Sequence, residues 1–509
     1  MDFAAQSTLS SSNSSSDRAT TGIEGLDNIL DGGFPRRRMY LIQGEPGTGK
    51  TTMSLQYLLR GAKDGERCLY ISLSESRDEI LQVAESHGWD LSVLDIVEMS
   101  DDPRIQTMAP EEQNTLFLSS EIELSAITTR ILDEIDKINP TRVVFDSLSE
   151  WRLLSGGGLQ FRRQILALKN NLSARGATVL LLDDRSSGNE RDLQSVAHGV
   201  IQLSHLQPEY GGARRRLNVI KMRGMRFRAG FHDFSIEQGG LAVFPRLVAT
   251  DHTTQFQAEQ VPSGMPELDE LLGGGLVRGT ATLLVGASGT GKSLLSQRYS
   301  EQLLQNGEKV AIFAFEETTG LLRSRSAQLG MDLASYQESG ALEWQTVDPA
   351  ELSPGEFAWR VRDRVEKGGV KMVILDSLNG YLYSMSQDRQ LMMHMHELLS
   401  YLNARGVISV LIVCQMGMVG SSMHSPVDMS YLADTVVLLR HFEAFGEVRQ
   451  AISVVKKRVG QHERTIREMQ FTPQGVRIGR PLRDFKGVLT GVPDYIGSDG
   501  PLFNSDGTE

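Results

Sequence analysis

Residues 44–51 read GEPGTGKT, and residues 286–293 read GASGTGKS. Both stretches match the pattern G-x-x-x-x-G-K-[ST], in which backbone N–H groups at the start of a helix surround the phosphates of a nucleotide. A short apolar run at residues 39–42 enters the first loop, and a helical pattern over residues 54–59 follows it. The sequence therefore predicts two phosphate-binding loops rather than two coincidental glycine turns.

The two loops belong to a longer repeat. Residues 21–27 read TGIEGLD and residues 263–269 read SGMPELD, at the same offset of 242 residues that separates the loops. Further matches at offsets of 230 and 235 residues pair Asp146 with Asp376 and Arg223 with Arg458. Such self-similarity indicates two copies of one domain in a single chain.

Each copy alternates apolar strands with helices, which predicts an α/β fold with a mostly parallel sheet covered by helices. The predicted strands that help to place the sites are residues 67–73, 143–145, 310–315 and 372–375. We expect domains over residues 19–247 and 261–480. Outside them we expect a disordered serine-rich tail over residues 1–18, a linker over 248–260 and a regulatory tail over 481–509.

Composition excludes several classes of protein. With 40% hydrophobic and 23% charged residues, the 509-residue chain is globular rather than disordered, and its formal charge of −12 makes nucleic acid an unlikely partner. Cys68 and Cys414 stand far apart, which excludes a disulfide framework and a cysteine zinc site and fits a reducing cytoplasm. Residues 407–419 are too few for the roughly 20 apolar residues of a membrane span, so we expect no membrane contact.

The loop residues predict roles toward ATP and Mg²⁺. Lys50 and Lys292 should reach the β- and γ-phosphates, while Thr51 and Ser293 should offer hydroxyls to Mg²⁺. The other residues expected to contact nucleotide are Gly47, Thr48, Gly49, Thr52, Gly289, Thr290, Gly291 and Leu294. Asp146 and Asp376 end apolar strands and should hold the metal through water, although a strand-end turn residue is the alternative.

Hydrolysis also needs a group that orients or deprotonates the attacking water. Glu316 and Glu317 follow an apolar strand and can serve, although a solvated strand end is the alternative reading. The offset of 242 residues places Ser74 and Glu75 in the first copy. Ser74 cannot act as a carboxylate base, so the first site is either weaker or relies on Glu75.

Two Lys-x-Arg pairs end late apolar strands, Lys221 with Arg223 and Lys456 with Arg458. Alternate strand positions share a face, so both cations of a pair can point at one phosphate group. A finger supplied by the next subunit and an ordinary surface salt bridge both remain open.

Together these motifs resemble the RecA-like ATPases, and their duplication resembles the KaiC circadian-clock family. The most specific segment reads DMSYLADT over residues 428–435, followed by VKKR over 455–458 and IRE over 466–468. The resemblance covers about residues 21–495 and implies tandem RecA-like P-loop NTPase domains in a double-ring homohexamer. It implies ATP between neighbouring subunits, contacted across the interface by both Lys-x-Arg pairs, with an ATPase in the first ring and an autokinase in the second.

The resemblance also places phosphoacceptors at Ser430 and Tyr431, with Glu316 taking the acceptor proton and Glu317 supporting it. Tyr431 stands where the clock protein has threonine, and its ring puts the hydroxyl farther from the backbone. Ser74 likewise stands where the family usually has the first of two glutamates. The first copy has Gln194 and Ser195 at the acceptor positions, so we expect no kinase cycle there.

The sequence also bears on partner proteins and on alternative functions. The resemblance allows a KaiB-like protein or a histidine kinase with its response regulator, whereas KaiA is unlikely because the family's helical tail does not follow. One alternative is a RecA- or RadA-like DNA-dependent ATPase, supported by arginine runs at residues 36–38 and 214–216. Another is a nucleotide-gated scaffold with negligible turnover and no kinase activity.

Overall fold

The computed structural model describes residues 17–99, 128–154, 158–184, 190–208, 211–248, 256–317, 319–328, 330–384, 391–415, 430–472, 475–490 and 493–497. The chain divides into two compact units, Met1–Arg246 and Leu247–Glu509. Each unit contains one of the glycine loops and nearly all of one predicted domain.

In the first unit the described strands are β1 Arg18–Ala19, β2 Phe34–Pro35, β3 Met39–Gly44, β4 Cys68–Ser72, β5 Asp95–Glu98, β6 Arg142–Asp146, β7 Thr178–Asp184, β8 Gly199–Leu206, β9 Arg214–Met222, β10 Phe231–Glu237 and β11 Gly240–Phe244. The described helices are α1 Glu24–Ile29, α2 Lys50–Lys63, α3 Arg77–Ser86, α4 Leu148–Leu154, α5 Gly158–Ala174 and α6 Glu190–Val196, and residues 128–138 are helical as well.

In the second unit the described strands are β12 Gln260–Val261, β13 Leu276–Val277, β14 Ala281–Gly286, β15 Lys309–Ala314, β16 Leu342–Thr346, β17 Val370–Asp376, β18 Ile408–Cys414, β19 Thr435–Ala444, β20 Glu447–Lys457, β21 Ile466–Thr472, β22 Gly475–Pro481, β23 Phe485–Lys486 and β24 Asp494–Tyr495. The described helices are α7 Pro266–Leu271, α8 Lys292–Gln305, α9 Thr319–Gln328, α10 Ala334–Glu338, α11 Pro354–Glu366, α12 Leu378–Ser384 and α13 Leu391–Ala404, with a 3₁₀ turn at Val488–Thr490.

The described strands form one large sheet in each unit. The first has the order β11-β10-β9-β8-β3-β7-β6-β4-β5, and the second mirrors it as β16-β15-β17-β18-β14-β19-β20-β21-β22. The pairs from β8 to β5, and likewise from β19 to β16, are parallel, while the last three strands at the other end pair antiparallel. This confirms the predicted α/β fold with tandem, mostly parallel sheets.

Side chains of the central strands divide between two apolar cores, one on each face of the sheet. In β6, Val143 and Phe145 pack in one cluster and Val144 in the other. In β17, Val373 and Ile374 divide in the same way. Successive strand residues point to opposite faces, and both faces carry helices, so these strands read as continuous apolar runs.

Some residues of the predicted tails and linker belong to the folded units. Arg18, the last residue of the predicted N-terminal tail, lies in β1, and Gln260, the last residue of the predicted linker, lies in β12. Leu482, Phe485 and Val488 are buried in a cluster with Phe442. This part of the predicted C-terminal tail therefore packs on the second unit, because its apolar side chains are buried against Phe442, Ala444 and Ala451.

Residues 1–16, 249–255 and 498–509, on which much of the tail and linker predictions fall, lie outside the described residues. Among the residues that are described, no helix combines the length and the apolar character that crossing a membrane requires.

Candidate functional site

Both glycine loops connect a buried strand to the first turn of a helix. β3 ends at Gly44 and α2 begins at Lys50, while β14 ends at Gly286 and α8 begins at Lys292. The first N–H groups of a helix have no partner within the helix, and they carry its positive end. Each loop thus offers a binding position for an anion.

The turn into each helix depends on glycine. Gly49 has φ 93° and Gly291 has φ 91°, in the left-handed region that side chains disfavour. A Cβ on Gly291 would lie 1.9 Å from Phe471 Cζ, and one on Gly49 would lie 2.8 Å from Ile236 Cδ1. A residue larger than glycine would displace the helix start from the loop.

The loop lysines bend back over their own loops. Lys50 Nζ donates to the carbonyl oxygens of Gly44 and Glu45 at 2.9 and 3.0 Å. Lys292 Nζ donates to the two equivalent carbonyl oxygens at 2.9 and 2.7 Å, and its burial lowers the pKa of this ammonium group. Both side chains lie where phosphates held by the loop would be contacted.

Hydroxyl groups fix the shape of the loops. Thr48 Oγ1 donates to the carbonyl of Glu45 at 2.8 Å, and Thr290 Oγ1 donates to that of Ala287 at 2.9 Å. The remaining residues predicted to contact nucleotide lie in the same loops or first helical turns: Gly47, Gly49, Thr52, Gly289, Gly291 and Leu294.

In the first unit the helix hydroxyl meets the strand-end aspartate. Thr51 Oγ1 donates to Asp146 Oδ2 at 2.8 Å, and the Tyr70 hydroxyl donates to the same oxygen at 2.5 Å. Burial raises the pKa of Asp146, and these two hydrogen bonds oppose the increase. The carboxylate is thus buried yet supported, which suits a group that faces a cation.

The second unit repeats this pairing. Burial again raises the pKa of the Asp376 carboxyl group, and the neighbouring Ser293 opposes the increase. A cavity of about 220 Å³ opens here. Its lining includes Lys292, Ser293, Glu316, Asp376, Cys414 and Phe471.

The two predicted glutamates of the second unit differ in their surroundings. Glu316 is exposed and accepts a hydrogen bond from Ser377 Oγ at 2.7 Å. Glu317 is partly buried and forms an ion pair with Arg325 at 3.1 Å. Both carboxylates line the cavity, and Glu317 is the one held in an ion pair.

The first unit has Ser74 exposed and Glu75 partly buried at the corresponding positions. Burial is the largest cause that raises the pKa of Glu75, followed by the charge of Asp146. The backbone N–H of Glu75 donates to Ser72 Oγ at 3.0 Å, and this bond holds the loop that follows β4. Glu75 thus faces the same edge of the sheet as Asp146 but shares it with other negative charges.

Both Lys-x-Arg pairs donate hydrogen bonds to backbone carbonyls of the short segment that precedes the neighbouring strand, β19 in the second unit and β8 in the first. Lys456 Nζ donates to the carbonyl of Ser430 at 2.7 Å, and Arg458 donates to that of Tyr431 at 3.0 Å. Arg458 also pairs with Asp434 at 3.4 Å, which is the surface salt bridge that the sequence left open. The tyrosine is 53% exposed.

The first unit repeats these contacts without the acceptor residues. Lys221 Nζ donates to the carbonyl of Gln194, and Arg223 donates to that of Ser195 at 2.9 Å. Both cations of each pair thus reach one short segment of their own chain, and Arg223 and Arg458 directly follow the ends of β9 and β20.

Sequence reasoning missed two residues of the first site. Tyr70 lies in a strand where the copy at an offset of 242 residues has Ile312, so a phenol within an apolar run was the available signal. Asp184 ends β7 beside Gly44, at the register position that Cys414 occupies beside Gly286. Its Oδ1 lies 2.7 Å from Lys50 Nζ. Only the strand order brings these two residues to the loop.

Comparison with known proteins gives matches over both units. The family model for the KaiC ATPase matches residues 19–248 and 261–483. The circadian clock oscillator protein KaiC of Acaryochloris marina is 28% identical over 490 residues, which cover 94% of this chain and 92% of the relative.

Two further relatives show the same extent of similarity. The circadian clock oscillator protein KaiC of Thermosynechococcus vestitus is 29% identical over 496 residues, covering 94% of this chain and 92% of the relative. The circadian clock protein KaiC3 of Synechocystis is 27% identical over 488 residues, covering 94% and 95%. The similarity therefore includes both glycine loops and the segment after residue 428.

Proposed function

The chain belongs to the KaiC family of ATPases, and from this membership we propose that both domains bind ATP with Mg²⁺ and that the second phosphorylates its own chain. One observation carries the proposal. Each unit brings a loop lysine, a helix hydroxyl and a strand-end aspartate to the same edge of its sheet. Ligands of open α/β sheets bind at this edge.

The donors at this edge fit magnesium. Hydroxyl and carboxylate oxygens, from Thr51 with Asp146 and from Ser293 with Asp376, are the hard ligands that Mg²⁺ prefers. In the described part of the chain, no group of three or more His, Cys, Asp or Glu side chains lies close enough to hold a metal alone. Mg²⁺ commonly takes its remaining ligands from phosphates and water, and when bound it neutralises charge that develops on the phosphates.

In the second domain we assign the base to Glu316. Its accessible carboxylate accepts the proton of the acceptor hydroxyl while the hydroxyl oxygen attacks the γ-phosphorus and ADP leaves. Glu317, which also lines the cavity and pairs with Arg325, supports it by keeping a second negative charge close by.

We place the phosphoacceptor at Ser430 or Tyr431. Lys456 and Arg458 donate hydrogen bonds to the carbonyls of both residues, so the cations lie next to the acceptor segment. In the proposed homohexamer this unit faces the nucleotide of the neighbouring subunit, with Lys221 and Arg223 in the same position in the first ring.

Several contacts favour this function over a DNA motor. Arg36 forms two hydrogen bonds of 2.9 Å with Glu66, and Arg216 pairs with Asp233 at 3.3 Å. These arginines of the two basic runs are engaged inside the chain rather than presented together as a surface for phosphates.

As partners we propose a KaiB-like protein or a histidine kinase with its response regulator. The supporting observation is that the relatives over almost the full length are clock proteins by name.

Incubation of the full chain with γ-labelled ATP and Mg²⁺ tests the proposal. We expect both released phosphate and label on the protein. Neither product would instead indicate a nucleotide-gated scaffold, and phosphate release that requires single-stranded DNA would indicate a DNA motor.

We expect Lys50→Ala to impair assembly of the hexamer, because the proposed first-ring ATP lies between subunits and its phosphates lose a cationic contact. Light scattering in Mg-ATP should show dissociated subunits. Exposed Lys63→Ala, at the far end of the same helix, is the control and should assemble normally. An unchanged hexamer in Lys50→Ala would contradict ATP-dependent assembly through this loop.

We expect Tyr70→Phe to raise the Mg²⁺ concentration for half-maximal turnover of the first domain about 10-fold, since groups that orient a metal-facing carboxylate contribute that much or more. The assay uses Lys292→Ala as the parent so that turnover reports the first site. Tyr57→Phe is the matched control, because the Tyr57 hydroxyl is buried and has no hydrogen-bond partner among the described residues. Equal Mg²⁺ dependence in both variants would contradict the role of Tyr70.

A further inference from the structure

At two of the positions where the nucleotide sites differ, the differences are complementary. Where the second site has the carboxylate Glu316, the first has Ser74. Where the second has the thiol Cys414 at the end of the strand beside the loop, the first has the carboxylate Asp184. Each site thus has one accessible carboxylate in this pair of positions, contributed by a different strand.

Asp184 lies centrally at the edge of the sheet. Its strand β7 runs between the loop strand β3 and the strand that carries Asp146. The carboxylate lies 2.7 Å from Lys50 Nζ, and Ser149 Oγ lies 3.4 Å from its second oxygen. A phosphate group that contacts Lys50 therefore lies next to Asp184.

The strand end that carries Asp184 is held in place by the contacts of the residue before it. The preceding Asp183 is buried and pairs with Arg152 at 2.8 Å, and Gln43 Nε2 donates to it at 3.2 Å. Asp184 itself keeps 36% of its side chain exposed, so a fixed backbone presents an accessible carboxylate. Burial raises the pKa of Glu75, with smaller contributions from the charges of Asp146, Glu79 and Asp184, so the carboxylates share one electrostatic environment.

We infer that Asp184 is the carboxylate that orients and deprotonates the attacking water in the first domain; the inference rests on the proposed ATP hydrolysis there. The water oxygen forms a bond to the γ-phosphorus, and the bond from that phosphorus to the bridging oxygen breaks as ADP leaves with the electron pair. The water proton passes to the Asp184 carboxylate and from there to solvent. Asp184 thereby acts as the carboxylate base, a role that Ser74 cannot fill.

The test uses the full chain carrying Lys292→Ala, so that phosphate release and ATP binding report the first site. Adding Asp184→Asn should lower the rate of phosphate release about 100-fold, the usual contribution of a general base. ATP affinity, measured with a fluorescent ATP analogue, should stay within about threefold, since the amide keeps the shape of the side chain. Asp95→Asn, an exposed residue at the opposite edge of the sheet, should change neither quantity.

A rescue variant separates chemistry from folding. Ser74→Glu added to Asp184→Asn restores a carboxylate at the position that Glu316 occupies, and it should recover at least about 10-fold in rate. If the Lys292→Ala parent releases no phosphate, the proposed hydrolysis in the first domain fails together with this inference. If the parent is active, three results for Asp184→Asn overturn this inference alone. They are an unchanged rate of phosphate release, a higher rate together with tighter ATP binding, and a loss of ATP binding.

Discussion

Lys292→Ala should abolish phosphorylation of the second domain, with a loss of about 100-fold or more in the rate of labelling. The ammonium group of Lys292 is buried at the loop and is held by the carbonyls of Gly286 and Ala287. Arg325 is the only other cation in the described lining of the cavity, and its guanidinium is paired with Glu317. It is therefore not free to replace Lys292. Charge on the transferring phosphoryl group would therefore remain uncompensated on this side.

The measurement is the initial rate of label transfer from γ-labelled ATP to the full chain. Lys309→Ala removes an exposed lysine at the opposite end of the same sheet and should label at the normal rate. Persistent labelling of Lys292→Ala would refute the assignment of the second loop as the source of the phosphoryl group.

Glu316→Gln should lower phosphorylation of the second domain by about 100-fold to 10,000-fold, the range for loss of a positioned base. ATP binding should be preserved, because the amide keeps the hydrogen bond from Ser377 Oγ and the loop is unchanged. The loss should therefore appear in the rate at saturating ATP rather than in the ATP concentration needed.

Single-turnover labelling at saturating Mg-ATP distinguishes these quantities. Glu338→Gln, on the exposed end of α10, is a control that should leave the rate unchanged. Equal rates for Glu316→Gln and the unaltered chain would show that another group accepts the proton, with Glu317 as the next candidate.

The fold follows from the sequence because its signals are local. Apolar runs such as 143–145 and 372–375 became central parallel strands, Arg142–Asp146 and Val370–Asp376, and the repeat predicted that both units share one topology. The glycine loops were equally visible, since a left-handed glycine before a helix is a requirement of local geometry.

Contacts between distant strands were less visible. Spacing in the chain does not reveal that β7 neighbours the loop strand, so Asp184 was not associated with Lys50 although its carboxylate lies 2.7 Å away. The carbonyl contacts of Lys456 were missed for the same reason, because they depend on backbone groups that a sequence pattern does not specify.

The first part of the predicted C-terminal tail packs on the second unit. Polar and glycine residues after position 481 predict a tail, and within it the Phe485 ring packs edge-on against Phe442 and tilted against Tyr495, with ring centroids 5.9 and 5.1 Å apart. Single aromatic residues spaced along a polar segment can bury enough apolar surface to pack it, and periodicity does not detect them.

Phosphopeptide mapping by mass spectrometry after incubation of the full chain with Mg-ATP tests the central claim most directly. The peptides that matter cover residues 423–440 and include both proposed acceptors. We expect phosphate on Ser430 or Tyr431 in the unaltered chain, with the modified residue identified by fragmentation. Peptides that stay unmodified in a chain that still hydrolyses ATP would contradict the autokinase and leave an ATPase switch.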